Sequence, residues 1–107
     1  MGDINVAHTE LDTHPGKNIM MTPSFTVAER RGLTELLNLG FIDVYRFLHP
    51  NTRAYTWWYV NIGGRENFAS TGIGRRIDYF LISKEGIGWV KRCDIMREVL
   101  GADHCPV

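Results

Sequence analysis

Along this chain one stretch carries clear helical spacing. Leu33, Leu36 and Leu37 recur at i, i+3 and i+4, which lines them up on one face of a helix. Ahead of them, Thr26-Val27-Ala28-Glu29 forms a capping box, in which hydroxyl and carboxylate each satisfy an amide of the first turn. Gly40 follows where a helix ends on a left-handed glycine. Other segments are short and alternate with period two. Gly2 to Ala7 reads as the end of a buried strand, with almost nothing before it, which predicts a missing N-terminal portion. Residues 9–24 are rich in Thr, Pro, His and Asp and read as a loop. Phe41 to Leu48 predicts a short strand or a helical turn. Tyr55 to Val60 is aromatic and β-branched and predicts a strand, with Trp57 and Trp58 on opposite faces. Asn61 to Gly74 holds four glycines and reads as a mobile loop. Arg76 to Ser83 predicts a second strand and residues 91–100 a third. The whole is one mixed α and β domain.

Composition narrows the class. The chain has 107 residues, 44% of them hydrophobic and 22% charged, which suits a single globular domain. No run of about 18 apolar residues is present, so a membrane span is excluded, and no basic-then-apolar leader is visible. Cys93 and Cys105 are too few for a disulfide framework and read as buried free thiols of an intracellular protein. Twelve basic and twelve acidic residues cancel, which argues against a polybasic binder working by bulk counterion release. Their distribution is uneven: residues 1–50 hold four Lys or Arg against six Asp or Glu, and residues 51–100 hold eight against five. A basic stretch beside an acidic one suits an enzyme that grips phosphate and carries a cation.

Three clusters place chemistry at strand ends: Gly2-Asp3-Ile4-Asn5, Arg76-Ile77-Asp78-Tyr79 and Asp103-His104. Phosphodiester hydrolysis needs such groups, because a water must lose a proton and the phosphorane charge must be stabilised. Asp and Asn are hard oxygen ligands suited to Mg²⁺. A His held by an Asp has a fixed tautomer and a raised pKa. Elsewhere, His8, His14 and His49 read as polar contacts, Met20 and Met21 as loop filler, and Trp58 and Trp89 as packing. Arg75 and Arg76 can reach DNA phosphate, or Arg76 can pair with a carboxylate beside the strand.

In order along the chain come Gly2-Asp3-Ile4-Asn5-Val6-Ala7-His8, Phe25-Thr26 with Glu29-Arg30, Leu48-His49-Pro50-Asn51, Ala54-Tyr55-Thr56-Trp57-Trp58, Arg76-Ile77-Asp78-Tyr79-Phe80 and Gly101-Ala102-Asp103-His104-Cys105-Pro106. This ordered set resembles the exonuclease III-type abasic-site endonucleases of the endonuclease/exonuclease/phosphatase superfamily, and specifically their C-terminal half. The resemblance implies an α/β fold, half of a four-layer α/β/β/α sandwich, with residues 1–107 a partial domain lacking its N-terminal half and final strand. It implies a DNA repair hydrolase that cuts double-stranded DNA 5′ to an abasic site. Asp3 would position or deprotonate the attacking water, and Asn5 would hold Asp3 and the phosphate. His104 would stabilise the phosphate charge, with Asp78 orienting its ring. Asp103, with Asp3, Asn5 and His104, would lie at the Mg²⁺, which Mn²⁺ can replace. Trp57 and Ile77 would wall the pocket for an extruded abasic sugar, which is cheap to flip out, and Arg75 stands beside that pocket. The implied location is intracellular, nuclear in a eukaryote and cytoplasmic otherwise, with no membrane partner.

The departures fall beside the same pocket. Arg75 occupies a position where the family usually has Trp, and the 59–75 loop is long and glycine-rich. The missing half would supply the principal metal-binding glutamate, further phosphate-binding groups and the first sheet. A half-sandwich leaves one sheet face in water, so the chain alone is expected to be unstable and not to cut DNA. Two alternatives remain: another phosphodiesterase of the superfamily, such as a retroelement endonuclease, and a non-catalytic fragment that binds DNA or a partner through residues 51–100.

Overall fold

A computed structural model describes residues 1–59 and 72–107. The glycine-rich loop expected at 61–74 therefore lies outside the described residues, apart from its last three. Helix α1 spans Val27–Asn38 and begins as its sequence dictates. The Thr26 hydroxyl accepts from the Glu29 amide at 3.3 Å, and the Glu29 carboxylate accepts from the Thr26 amide at 3.3 Å and the Ser24 amide at 3.1 Å. Leu33 is buried and Leu36 and Leu37 are half-buried, giving the helix one apolar face. Gly40, at φ 111°, donates to the Leu37 carbonyl at 3.1 Å and turns the chain out of the helix. A side chain there would meet its own backbone.

Phe41 to Leu48 resolves into both of its expected forms in succession. Strand β2 (Phe41–Asp43) runs directly into helix α2 (Val44–Leu48), and Asp43 makes the switch by accepting from the Arg46 amide at 3.2 Å. Strand β3 is Trp57–Trp58 and β4 is Gly74–Arg75. The strand expected over Arg76–Ser83 is divided into β5 (Asp78–Tyr79) and β6 (Leu81–Ser83), because it changes partner. β5 pairs antiparallel with β1 (Gly2–Asp3), whereas β6 pairs antiparallel with β2, Ile42 opposite Ile82. Between them the Phe80 carbonyl accepts from the Val44 amide at 3.0 Å. β3 pairs with β4, and isolated bridges join Thr13 to Arg75 and Trp57 to His104. Residues 91–100 form no strand. Charged pairs at 91–92 and 97–98 interrupt the alternation, and the Met96 and Val99 amides bond to Pro106 and Met96 instead.

Among the described residues the apolar core falls into three clusters. Ala7, Phe25 and Ile77 form one, with Trp57 packed against it; Val44, Tyr45 and Cys93 form another; Trp58 and Cys105 form the last. Trp58 is thus core, as its face on β3 requires, and both cysteines are buried and free. Trp89 is not packing: it ends a 3-10 turn over Lys84–Trp89 and is 87% exposed, while Ile87 of the same turn packs against the core. Met20 and Met21 lie on a short exposed turn, as loop residues would.

The centre also holds charge. The Arg76 guanidinium, 1% exposed, donates to Asp12 at 2.8 Å and to both oxygens of Asp43, and Arg46 also bonds Asp12. Tyr45 and Tyr79 cover the Arg76 guanidinium at 5.4 and 4.6 Å. Arg76 is therefore the carboxylate partner among the two readings of its sequence. No helix among the described residues is long and apolar enough to cross a membrane.

Candidate active site

β1 and β5 bring Asp3 opposite Asp78 as cross-strand partners. Beyond β1 the chain turns sharply. Asn5 sits at φ 59°, a conformation that Asn tolerates better than most residues. Its amide donates to the Asp3 carboxylate at 2.8 Å, and its side-chain oxygen accepts from the Ser24 hydroxyl at 3.0 Å. The turn thereby holds the Asp3 carboxylate and the Asn5 amide at the same strand end.

His104 arrives from the far end of the sequence, carried by its bridge to Trp57. Its Nδ1 lies 2.9 Å from Asp78 Oδ2, and its Nε2 lies 4.0 Å from Asp3 Oδ2. An ionised carboxylate only accepts, so Nδ1 carries the proton and Nε2 faces Asp3. Burial by itself would lower the imidazole pKa. The hydrogen bond to Asp78 and its charge, reinforced by Asp103 and Asp3, outweigh burial and hold the pKa above the ordinary histidine value. Asp3, Asp78 and His104 each offer a ligand atom, and these atoms all lie within 4.8 Å of one another.

The other expected site residues are placed differently. Asp103 stands outside that group: its carboxylate is exposed and accepts from the Trp57 indole at 3.2 Å. Trp57 is half-buried beside the site and meets Tyr59 edge-on at 4.6 Å. Ile77 touches the same cluster but is 3% exposed, so it supports Trp57 from the core instead of presenting a surface. Arg75 is 1% exposed, and its guanidinium bonds Thr13, Thr22 and the Pro23 carbonyl. It pins the 9–24 loop to β4 from inside and is not offered to substrate. The pairing of β4 with β3 turns its side chain under that loop, a direction that a lone strand sequence does not specify. His8, His14 and His49 make polar contacts, to Thr34, Gly74 and Cys93 respectively.

Thr56 was not singled out by its sequence, where it is one polar residue in an aromatic strand. Its hydroxyl donates to Asp78 at 2.6 Å. The residue is completely buried, at 0% exposed, so the strand places it inside instead of on the surface.

A carboxylate–imidazole pair beside a second carboxylate can do acid–base work on a polyanionic substrate. No protein-family model matches the chain. Individual proteins do. The exodeoxyribonuclease of Bacillus subtilis is 38% identical over 107 residues, which is 99% of this chain and 41% of that protein. The DNA-(apurinic or apyrimidinic site) endonuclease of Dictyostelium discoideum is 39% identical over 108 residues, 99% of this chain and 29% of that protein. Among solved structures, an AP endonuclease from Leishmania major superposes at a TM-score of 0.85 with 30% identity, over 96% of this chain and 31% of that one. This chain is homologous to a segment of the exonuclease III-type abasic-site endonucleases. A 3′ phosphatase from Neisseria bound to product DNA hairpin shares the fold at a TM-score of 0.85 and 25% identity, over 96% of this chain and 40% of that one. The chain spans less than half the length of each of these relatives, and its mixed fold is consistent with a fragment of their α/β sandwich.

Proposed function

We propose that residues 1–107 are the C-terminal half of an abasic-site endonuclease domain, contributing one side of an active site that hydrolyses duplex DNA 5′ to an abasic site. The observation that carries this reading is the Asp78–His104 pair, bonded at 2.9 Å and facing Asp3 within one 4.8 Å group. Asp3 would orient or deprotonate the attacking water, with the Asn5 amide fixing its carboxylate; the Asn5 side-chain oxygen is held by Ser24, and its NH2 group would bind the phosphate. Protonated on both ring nitrogens, a form that the Asp78 carboxylate favours by raising the ring's pKa, His104 would donate from Nε2 to a phosphate oxygen. Asp78 would hold the ring for that task. Trp57 would flank the extruded sugar.

The donors fit a hard divalent cation. Asp3 keeps a half-exposed carboxylate oxygen at the group, while Asp78 and His104 Nδ1 are already committed to each other. Mg²⁺, or Mn²⁺ in its place, would be held through Asp3 with Asn5, Asp103 or His104 nearby, and would supply neutralisation of phosphate charge. Its remaining ligands and the rest of the fold would come from the N-terminal half. Such a protein works where its DNA is, in the nucleus of a eukaryote or the cytoplasm otherwise.

A second reading, removal of 3′-terminal phosphate, is favoured by the likeness to the Neisseria enzyme and by Arg75. With Arg75 turned inside, the position that the family usually fills with Trp offers no wall to an abasic sugar. The test is incision of a labelled duplex carrying one abasic-site analogue, beside a duplex ending in 3′ phosphate, with Mg²⁺ and with EDTA. Both this chain and a form extended upstream by the missing half are assayed. Mg²⁺-dependent incision at the abasic site by the extended form is expected. Release of phosphate without incision selects the second reading, and inactivity on both substrates refutes both.

A further inference from the structure

We infer that Thr56 is a positioning residue, whose hydroxyl and backbone together set Asp78 and His104 in their bonded orientation. The inference gives functional meaning to Thr56 only within the proposed reading, but its geometry stands by itself. A hydroxyl has one proton to donate and two lone pairs to accept with. The Thr56 oxygen accepts from the Ile77 amide at 3.0 Å and from the Asp78 amide at 3.2 Å. Both lone pairs are thereby taken, and the one proton is left for Asp78 Oδ2, 2.6 Å away. The rotor has no second choice.

Asp78 Oδ2 receives two donors, the Thr56 hydroxyl and His104 Nδ1. The carboxylate is fixed from one side by Thr56 and reads the imidazole from the other, so the ring keeps its proton on Nδ1 and turns Nε2 to Asp3. The backbone of the same residue places the partner: the Thr56 carbonyl accepts from the Cys105 amide at 2.8 Å, and the Thr56 amide donates to Arg75 at 2.9 Å. One residue thus holds Asp78 through its side chain and the His104–Cys105 segment through its main chain. The residue is completely buried, so water does not compete for these bonds.

Two substitutions separate this role from space filling. Thr56→Val keeps the shape and removes the hydroxyl, whereas Thr56→Ser keeps the hydroxyl and removes a methyl. The readout is NMR of the form extended upstream by the missing half: the low-field His104 Nδ1 proton and the Asp78 amide. Thr56→Ser is expected to retain both signals. Thr56→Val is expected to speed exchange of both with water by about tenfold, the loss expected of one buried hydrogen bond. Retention of both signals in the valine variant overturns the inference. If both variants lose them through unfolding, the wild-type chain decides. A slowly exchanging Thr56 hydroxyl proton supports the inference, and its absence overturns it. None of these readouts depends on cleavage of DNA, so a failed incision assay and a failed Thr56 test are distinguishable.

Discussion

Replacing Arg76 with Met tests whether the charged centre is a requirement of this fold. Methionine roughly matches the length of the arginine stem and can pack against Tyr45 and Tyr79, which cover the guanidinium at 5.4 and 4.6 Å. The charge is what disappears. Arg76 and Arg46 balance Asp12 and Asp43, and the Asp12 side chain is fully buried. Without Arg76, Asp43 loses both of its guanidinium bonds, Asp12 is left with Arg46 and its Thr9 contacts, and the centre keeps one excess negative charge. Removing one member of a buried pair costs about 3–5 kcal/mol. That is a large fraction of the roughly 5–15 kcal/mol that holds a domain of ordinary stability. The Arg76→Met/Asp43→Asn double variant, neutral again at the centre, should recover part of the loss.

The assay is urea unfolding of the form extended upstream by the missing half, followed by near-ultraviolet circular dichroism of its packed aromatic side chains, Trp57 and Trp58 among them, at several pH values. Burial alone would raise the Asp12 pKa, but the charge and hydrogen bond of Arg76, with Thr9 and Arg46 behind them, hold it below the usual carboxylate range. A depressed folded-state pKa contributes stability above the unfolded carboxylate value, and this is lost as pH falls through the folded one. Wild type should therefore weaken on acidification through that window. In Arg76→Met the depression shrinks and the acid limb should flatten. A midpoint shift worth less than about 1 kcal/mol, the scale of a surface pair, together with an unchanged acid limb, would refute the reasoning.

Two further outcomes are expected. Asp78→Asn should lower the His104 pKa, measured by NMR titration of its ring, because burial then acts without the carboxylate that outweighs it. In the wild type the stability from this pair is fully present below the ordinary histidine value and lost as pH rises through the raised one; an unmoved titration in the variant would show that Asp78 does not govern the ring. Thr26→Ala should destabilise the chain by about 1 kcal/mol, since the capping box loses its hydroxyl acceptor, and urea unfolding with no change in midpoint would contradict that role.

Local features were legible in the residue order. The capping box at Thr26, the three leucines and Gly40 delimit α1, because a helix writes its ends and its buried face in nearby residues. The opposite faces of Trp57 and Trp58 follow from the period of a strand. The six ordered motifs were enough to name the family. Contacts across the chain were not legible as geometry. Asp3, Asp78 and His104 are separated by most of the sequence, and the β1–β5 register and the Trp57–His104 bridge bring their ligand atoms together. The strand at 76–83 is divided because two different strands claim its halves, and pairing partners are not recorded in one segment. Trp89 is exposed and Arg75 lies under the 9–24 loop, although each side chain read locally suggests otherwise, and Ile77 supports from the core where the resemblance implies a pocket wall. Side-chain type sets what a residue can bond; which partners surround it depends on the segments that fold against it, and those are decided by the tertiary structure.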